Sequence, residues 1–367
     1  ITYEGQLSLK TQKVKDVIER IGHQNPDLVK PALGPKEPWA YRNKMQMPVG
    51  GTKGNIQMGF YAMGSHDIVQ GTNCPIQDEG NNIIAQACYQ IAKEFDIEPY
   101  DEHTGKGVLR HVIGRIGQSG WMIILVTATE HLPHQEKWVE KLTERVPQVE
   151  TIVHNVNGKR TNVILGPKNS VLYGDGTITD HIKDLRFTLS PHSFFQVNPE
   201  QTTVLYDQAL EYADLKGNET VIDAYCGTGT ISLFLAHKAK HVIGIEIVEP
   251  AIINARENAR HNGYDNTEFI VADAAIEMPK LYKAGVRPDV IVFDPIRAGC
   301  KEEVLTSAAG MEPKRIVYVS CNPATMARDI EILTHYGYKL KEVQPVDMFP
   351  MTAHVEAVAL LTRNEET

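Results

Sequence analysis

The sequence predicts two successive parts: an α+β region over residues 1–185, then a doubly wound α/β domain with a seven-stranded, mostly parallel sheet over residues 186–367. After about residue 190, apolar strands alternate regularly with turns and helices, the pattern of parallel βαβ units. Before it, helices and strands are mixed without that rhythm, and Pro26, Pro31, Pro35, Pro38 and Pro48 interrupt residues 24–75. A chain of 367 residues that is 42% hydrophobic can also bury one or two sizeable cores without disulfide or metal staples.

Residues 9–22 carry Leu9, Val14, Val17, Ile18 and Ile21 at helical spacing, with Ser8 as N-cap and Gly22 as stop. Residues 81–95 form a second helix with Ile84, Ala87, Cys88 and Ile91 on one side. The runs VLRHVIGRIG and WMIILVTA read as antiparallel strands joined by a Gly-Gln-Ser-Gly turn. A helix over 134–146 and a strand over 150–155 follow. In the second part, strands are expected at 220–224, 241–246, 267–271, 290–294, 315–320, 339–346 and 355–362, with helices including 229–237 and 250–262. The last two strands are close enough in sequence to end the sheet in an antiparallel hairpin.

Five cysteines without a CxxC pair speak against a disulfide scaffold or zinc ribbon and fit a reducing cytoplasm. No apolar run approaches the ~20 residues of a membrane span, so no membrane partner is expected, and a monomer is. The chain opens on Ile1 rather than Met, so trimming ahead of it is expected. The net charge of -9 argues against a uniformly basic coat, yet residues 1–60 carry a basic excess of +4. There Arg42 and Lys44, beside Trp39 and Tyr41, are candidates for RNA phosphates and base stacking, against a plain solvated loop.

The turn Asp223-Ala224-Tyr225-Cys226-Gly227-Thr228-Gly229-Thr230 joins a strand to a helix, where glycines let a ligand approach backbone N–H groups. Glu246, ending the next strand, is placed for ribose hydroxyls, and Asp273, ending the one after, for an adenine amino group. Ser232 occupies the third glycine position of a dinucleotide fingerprint, which favours a methyl donor over NAD. Asp294-Pro295-Ile296-Arg297 and Ser320-Cys321-Asn322-Pro323 follow later strands at the same edge, where doubly wound sheets place their sites. Cys321 is placed there to act as a nucleophile, and Glu356, flanked by Val355, Ala357 and Val358, to be a desolvated base. Each has a plainer reading, a buried thiol or an edge-strand carboxylate in solvent. His131 and His134 lack a third ligand, and Cys88 reads as core.

The residues FFQVN (194–198), DAYCGTGTISLFLA (223–236), GIEIVEPAI (244–252), FDPIRAG (293–299), VSCNPATMARD (319–329) and DMFPMTAHVE (347–356) together resemble the uracil-5 RNA methyltransferases. These S-adenosylmethionine-dependent enzymes make 5-methyluridine in ribosomal or transfer RNA. YEGQL (3–7), YRNKMQMPV (41–49), GFY with SHDIV and LRHVIGR extend the likeness through the first half. The resemblance implies a class I, Rossmann-like methyltransferase fold preceded by an α+β RNA-binding domain. It makes Cys321 the nucleophile that adds to carbon 6 of uracil and Glu356 the general base at carbon 5. It places the methyl donor on Gln196, Tyr225, Gly227, Gly229, Glu246, Asp273 and Asp294, with Gln196 and Asp294 also near enough for the uracil. Either Arg297 or Arg328 is placed to lower the thiol pKa, and Arg297 is a further substrate candidate.

The family motif often reads Asp-Pro-Pro-Arg, so Ile296 opens the question of what fixes that loop. Ribosomal members carry an upstream OB-type barrel, and some hold an iron-sulfur cluster on three clustered cysteines plus a fourth. Residues 1–367 contain neither barrel nor cluster motif, so no metal site is expected in this chain. Cys74 stands as a candidate remnant iron-sulfur ligand, against an ordinary buried cysteine. The YEGQL and YRNK segments look more like the ribosomal type, so 23S RNA is the expected partner, at one or two uridines. Transfer RNA is the alternative; an NAD-dependent oxidoreductase and a silent RNA-binding module are the rivals from other classes.

Overall fold

Helix α1 (Tyr3–Arg20) starts earlier than its apolar spacing suggests, because the Thr2 hydroxyl accepts from Gly5 N at 3.2 Å and caps it there. Ser8 is therefore inside the helix rather than its cap, donating to the Glu4 carbonyl at 3.0 Å. The computed structural model describes residues 1–363 and divides into two compact units, one of residues 1–38 with 198 onward, the other Trp39–Val197. The boundary expected at 185/186 is thus redrawn. The reason is visible in the backbone: residues 29–33 run beside a late strand, with Lys30 N donating to Val343 O and Leu33 N to Pro345 O.

The Trp39–Val197 unit contains β1 (Lys44–Thr52), β2 (Asn55–Tyr61), β3 (Ile68–Gln70), α2 (Glu79–Glu94), β4 (Leu109–Ile116), β5 (Trp121–Thr127), α3 (Gln135–Arg145), β6 (Val149–Val156) and β7 (Lys168–Tyr173). Its sheet runs β3-β2-β1-β4-β5-β6-β7, antiparallel except between β5 and β6. The expected β4/β5 hairpin is present, with Ile116 opposite Trp121. The sequence does not announce the separate hairpin of β8 (Ile178–Ile182) with β9 (Leu185–Leu189), nor β7, whose residues are nearly all exposed and lack alternation. Ile84, Cys88 and Ile91 of α2 pack with Trp138 and Leu142 of α3 against the sheet.

The second unit continues with α4 (Pro199–Ala213), β10 (Thr220–Asp223), α5 (Thr230–Ala236), β11 (His241–Glu246), α6 (Glu249–His261), β12 (Thr267–Val271), α7 (Ala274–Lys283) and β13 (Val290–Phe293). It closes with α8 (Glu302–Gly310), β14 (Arg315–Ser320), α9 (Pro323–His335), β15 (Tyr338–Val346) and β16 (Glu356–Arg363). The sheet order is β12-β11-β10-β13-β14-β16-β15. β10 to β14 are parallel, while β16 inserts antiparallel to both β14 and β15. This is the seven-stranded, mostly parallel α/β fold the sequence predicts. The strands are apolar runs buried on both faces, such as Val290–Phe293, each such side chain stabilising the fold by ~1.5–3 kcal/mol relative to exposure.

This strand order positions the site. Parallel strands end where an antiparallel neighbour begins, so the first residue of β16 lies at the carboxyl edge of β14.

Candidate active site

At that edge, Ser320 pairs with Ala357 in the antiparallel β14/β16 ladder. Extending the register by one residue sets Cys321 opposite Glu356. Glu356 is 4% exposed, inside the sheet and not on a solvent-facing edge. Burial pushes its carboxyl up to about 7, with Arg297 pulling the other way. Cys321 is half-buried. Its thiol is pushed up by burial and by the carboxylates of Glu356 and Asp294, while Arg297 pulls it down. The choice left open between two arginines falls to Arg297. Arg328 is committed elsewhere, to Asp329 Oδ1 at 2.6 Å and the Ala298 carbonyl at 3.0 Å.

Asp294 directly follows β13, and burial, Glu356 and Asp223 all push its carboxyl well above the usual range. Asp223 ends β10, is fully buried and is pushed up to about 6 by burial. Its Oδ2 accepts from Ser232 Oγ at 2.6 Å, whereas its Oδ1 has no partner. Ser232 in the third glycine position thus anchors the acid that starts the turn. Tyr206, buried in the fold, feels all three carboxyls and shares a hydrogen bond with Thr230 Oγ1 at 3.1 Å.

The turn after β10 has the backbone its glycines allow. Gly227 and Gly229 adopt φ of 54° and 81°, and a Cβ built on Gly227 meets nothing within 4 Å, so its face is open. Asn258 Nδ2 pins the turn through the Thr228 carbonyl at 3.1 Å. Glu246 Oε2 accepts from Gly227 N at 3.2 Å and Oε1 from Val248 N at 2.9 Å. Asp273 caps α7 through Ala275 N and pairs with Lys301 Nζ at 3.0 Å. Tyr225 is half-buried, its hydroxyl beside the Cys300 thiol.

The loop after β13 holds its shape without the second proline. Ile296 is 77% exposed and contributes no packing that fixes the turn. Instead Asn322 Nδ2 and Thr325 Oγ1 donate to the Arg297 carbonyl at 3.0 and 3.2 Å, and Asp329 Oδ2 accepts from Cys300 N at 2.7 Å. Sequence reasoning missed these side chains at the start and within α9. Asn322 has a visible signal, the Asn-Pro start of a helix, and caps α9 through Ala324 N.

The remaining candidates belong to the Trp39–Val197 unit. Gln196 is buried near its end. Arg42 and Lys44 are half-buried and share their neighbourhood with Arg115, which sequence reasoning missed. Burial, Arg115 and Arg42 push the Lys44 ammonium down to about 7. Arg115 donates to the Pro191 and Ser193 carbonyls, and its buried Nε has no partner. None of the three pairs with a carboxylate among the described residues. Cys74 is half-buried and lines a pocket of about 430 Å³ with Arg42 and His111. His134 stands at the N-cap position of α3 in the left-handed region, makes no side-chain capping bond, and packs its ring on Phe95 at 4.9 Å between centroids. Cys88 is core, and no cluster able to hold a metal ion occurs among the described residues.

Residues 122–364 match the model of a family described as tRNA (uracil-5-)-methyltransferase. An uncharacterized RNA methyltransferase of Bacillus cereus is 52% identical over 100% of this chain and 80% of its own length. One of Clostridium acetobutylicum is 48% identical over 99% of this chain and 80% of its own. The solved tRNA (uracil-54, C5)-methyltransferase of Pyrococcus abyssi, in complex with S-adenosyl-L-homocysteine, superposes with a TM-score of 0.80 at 27% identity, covering 99% of this chain and 84% of that one.

Proposed function

The chain belongs to the tRNA (uracil-5-)-methyltransferase family, and from that premise we propose that it methylates carbon 5 of uridine in 23S ribosomal RNA, at one or two sites, with S-adenosylmethionine as donor. The observation that carries the chemistry is the register that sets a half-buried thiol opposite a buried carboxyl at the edge of the sheet. The residues present fit that donor. A cationic sulfur suits an acidic floor in which Asp223 Oδ1 lacks a partner, and the open face of Gly227 leaves room beside the backbone. Tyr225, Gly227, Gly229, Glu246, Asp273 and Asp294 would hold it, Glu246 through carboxylate lone pairs left over from its backbone bonds. When bound, the donor supplies a methyl group on a positively charged sulfur and departs as a neutral thioether.

The chain's own groups do the rest. Deprotonated Cys321 Sγ bonds to carbon 6 of the uracil and pushes an electron pair onto carbon 5, which takes the methyl group. Glu356 removes the proton from carbon 5, and the returning pair breaks the carbon 6–sulfur bond, releasing 5-methyluridine and the thiolate. A base with its pKa near 7 is matched to that task, being about half ionised at neutral pH yet basic enough to accept the proton. Because pairing hides these atoms, the uridine must be unpaired or flipped out.

Ribosomal RNA is supported by the YEGQL and YRNK segments, which resemble the ribosomal type. The transfer RNA reading is favoured by the family's description and by the substrate named for the Pyrococcus abyssi structure. Tritium release from RNA labelled at uridine carbon 5, with S-adenosylmethionine, separates them. Release from 23S transcripts alone supports the proposal. Release from transfer RNA alone moves the substrate, and release from neither overturns the chemistry. The site of action follows as the cytoplasm, where both RNAs reside; among the described residues no helix is long and apolar enough to cross a membrane.

Half-buried Arg42 and Lys44, with the charge of buried Arg115 behind them, are suited to RNA phosphates. A phosphate stabilises the charged form of Lys44, so binding takes up a proton and affinity falls as pH rises through 7. Anisotropy titrations of the RNA should show this slope, and Arg42→Gln with Lys44→Gln should remove it. The same pair should flatten the dependence of log K on log salt by about 0.7 for each phosphate that is no longer neutralised. Equal affinity at pH 6 and 8 in the unaltered protein counts against the assignment of Lys44.

A further inference from the structure

Glu356 is delivered to Cys321 by the loop 347–355, which joins the end of β15 to the start of β16. The loop itself lies outside the strand ladder on either side of it. Met351 sits at φ 63°, a left-handed conformation that a side chain rarely adopts unless its surroundings impose it. Gln6 of α1, more than 300 residues away in sequence, donates its Nε2 to Met351 Sδ at 3.1 Å. Lys10 and Asp347 form a buried ion pair at 2.5 Å, Lys10 being 4% exposed and Asp347 fully buried. Lys10 Nζ also donates to the Phe349 carbonyl at 3.1 Å, and Tyr3 Oη donates to Asp347 Oδ2 at 3.0 Å. Phe349 N donates back to Asp347 Oδ1 at 3.2 Å, and Lys13 Nζ reaches the Ala353 carbonyl at 3.0 Å.

Hydrogen bonds from one helix therefore reach residues 347, 349 and 353 of the nine-residue loop. A buried ion pair is weak evidence for stability, because desolvating two charges costs about as much as their attraction returns. Its other use is to fix one arrangement among several, here the arrangement of the segment that ends in the base.

We infer that Lys10 and Asp347, with Tyr3, are positioning residues that set the Glu356 carboxyl against the carbon 5 proton, so that their loss slows proton removal without slowing thiol addition. The inference rests on the proposed roles of Cys321 and Glu356. It predicts a separation of two steps that share one active site. With the loop loosened, Cys321 still adds to carbon 6 and carbon 5 still takes the methyl group, but the proton leaves slowly and the covalent adduct accumulates.

The test is the double variant Lys10→Met/Asp347→Asn, which removes both charges while keeping the volume and an acceptor for Phe349 N. The measurements are turnover, the KM for RNA, the melting temperature and the fraction of RNA held in a denaturant-resistant protein adduct. Turnover should fall by about tenfold to a hundredfold, the effect of a small misplacement of a reacting group. The KM should stay within about twofold, and the adduct fraction should rise above that of the unaltered enzyme. Unchanged turnover, or a loss that tracks the unfolded fraction with no rise in adduct, overturns the inference. Failure of the underlying reading looks different: the unaltered enzyme then forms no adduct and transfers no methyl group.

Discussion

Cys321→Ala should bind S-adenosylmethionine as the unaltered enzyme does and yet transfer methyl groups at least about 10³-fold more slowly, with no denaturant-resistant RNA adduct. The effect is large because nothing else at the edge can replace it. Cys226 and Cys300 are buried, and burial raises both thiols far from the thiolate form. Carbon 5 is a poor nucleophile until a group adds at carbon 6, so losing the thiol removes the step that makes the methyl acceptor. The same electrostatics set a pH dependence. Burial, Glu356 and Asp294 hold the Cys321 thiol above its ordinary value, with Arg297 opposing them. Thiolate is therefore a minor form at neutral pH, and adduct formation should speed up as pH rises from about 7 to about 9. Rapid-quench trapping of the adduct measures it; a flat profile, or an adduct in the alanine variant, removes Cys321 from its role.

The parts of this arrangement that the sequence discloses are those carried by period and by local chemistry. Apolar runs such as Val290–Phe293 mark buried strands, and acids or a cysteine just after them mark the carboxyl edge, so Asp223, Glu246, Asp294 and Cys321 are placed without coordinates. Glu356 is different. Its neighbours announce desolvation, but its partner depends on β16 entering between β14 and β15, a pairing that no local pattern encodes. The role of α1 is hidden for the same reason. Lys10 reads as one more cation on an amphipathic helix, and only the long-range ion pair with Asp347 shows it to be buried. Arg115 likewise sits in a run of strand residues whose two faces the sequence does not distinguish. Ile296 looks like a defect in the loop, yet the restraint comes from Asn322 and Thr325 at the start of the next helix.

Glu356→Gln should separate function from stability in opposite directions. The amide cannot take the carbon 5 proton, so turnover should fall by about 10²- to 10⁴-fold. Methyl transfer before that step is spared, and the methylated RNA should remain attached to Cys321 as a stable adduct. Stability moves the other way, and only above acidic pH. The carboxyl ionises near 7 in the folded chain, against an ordinary value of 4.5, because burial disfavours the charge. Below 4.5 it is protonated in both states, and the buried neutral form carries no penalty of charge. Between 4.5 and 7 the unfolded chain ionises while the folded chain does not, so stability falls as pH rises. Above 7 the folded chain holds a buried charge, and the loss levels off at about 3 kcal/mol. Glutamine never ionises, so the variant should melt higher than the unaltered protein at about pH 8 and nearly equally at about pH 5. Asp294, whose carboxyl is raised by burial and by Glu356, adds to the gain once the Glu356 charge is gone. A fold built for stability alone would leave that position neutral; a base with a pKa near 7 has to be bought with burial. Melting curves at the two pH values, set beside the adduct assay, decide it: a variant that melts lower at the higher pH shows Glu356 to be a structural carboxylate, and one that turns over normally shows that the proton goes elsewhere.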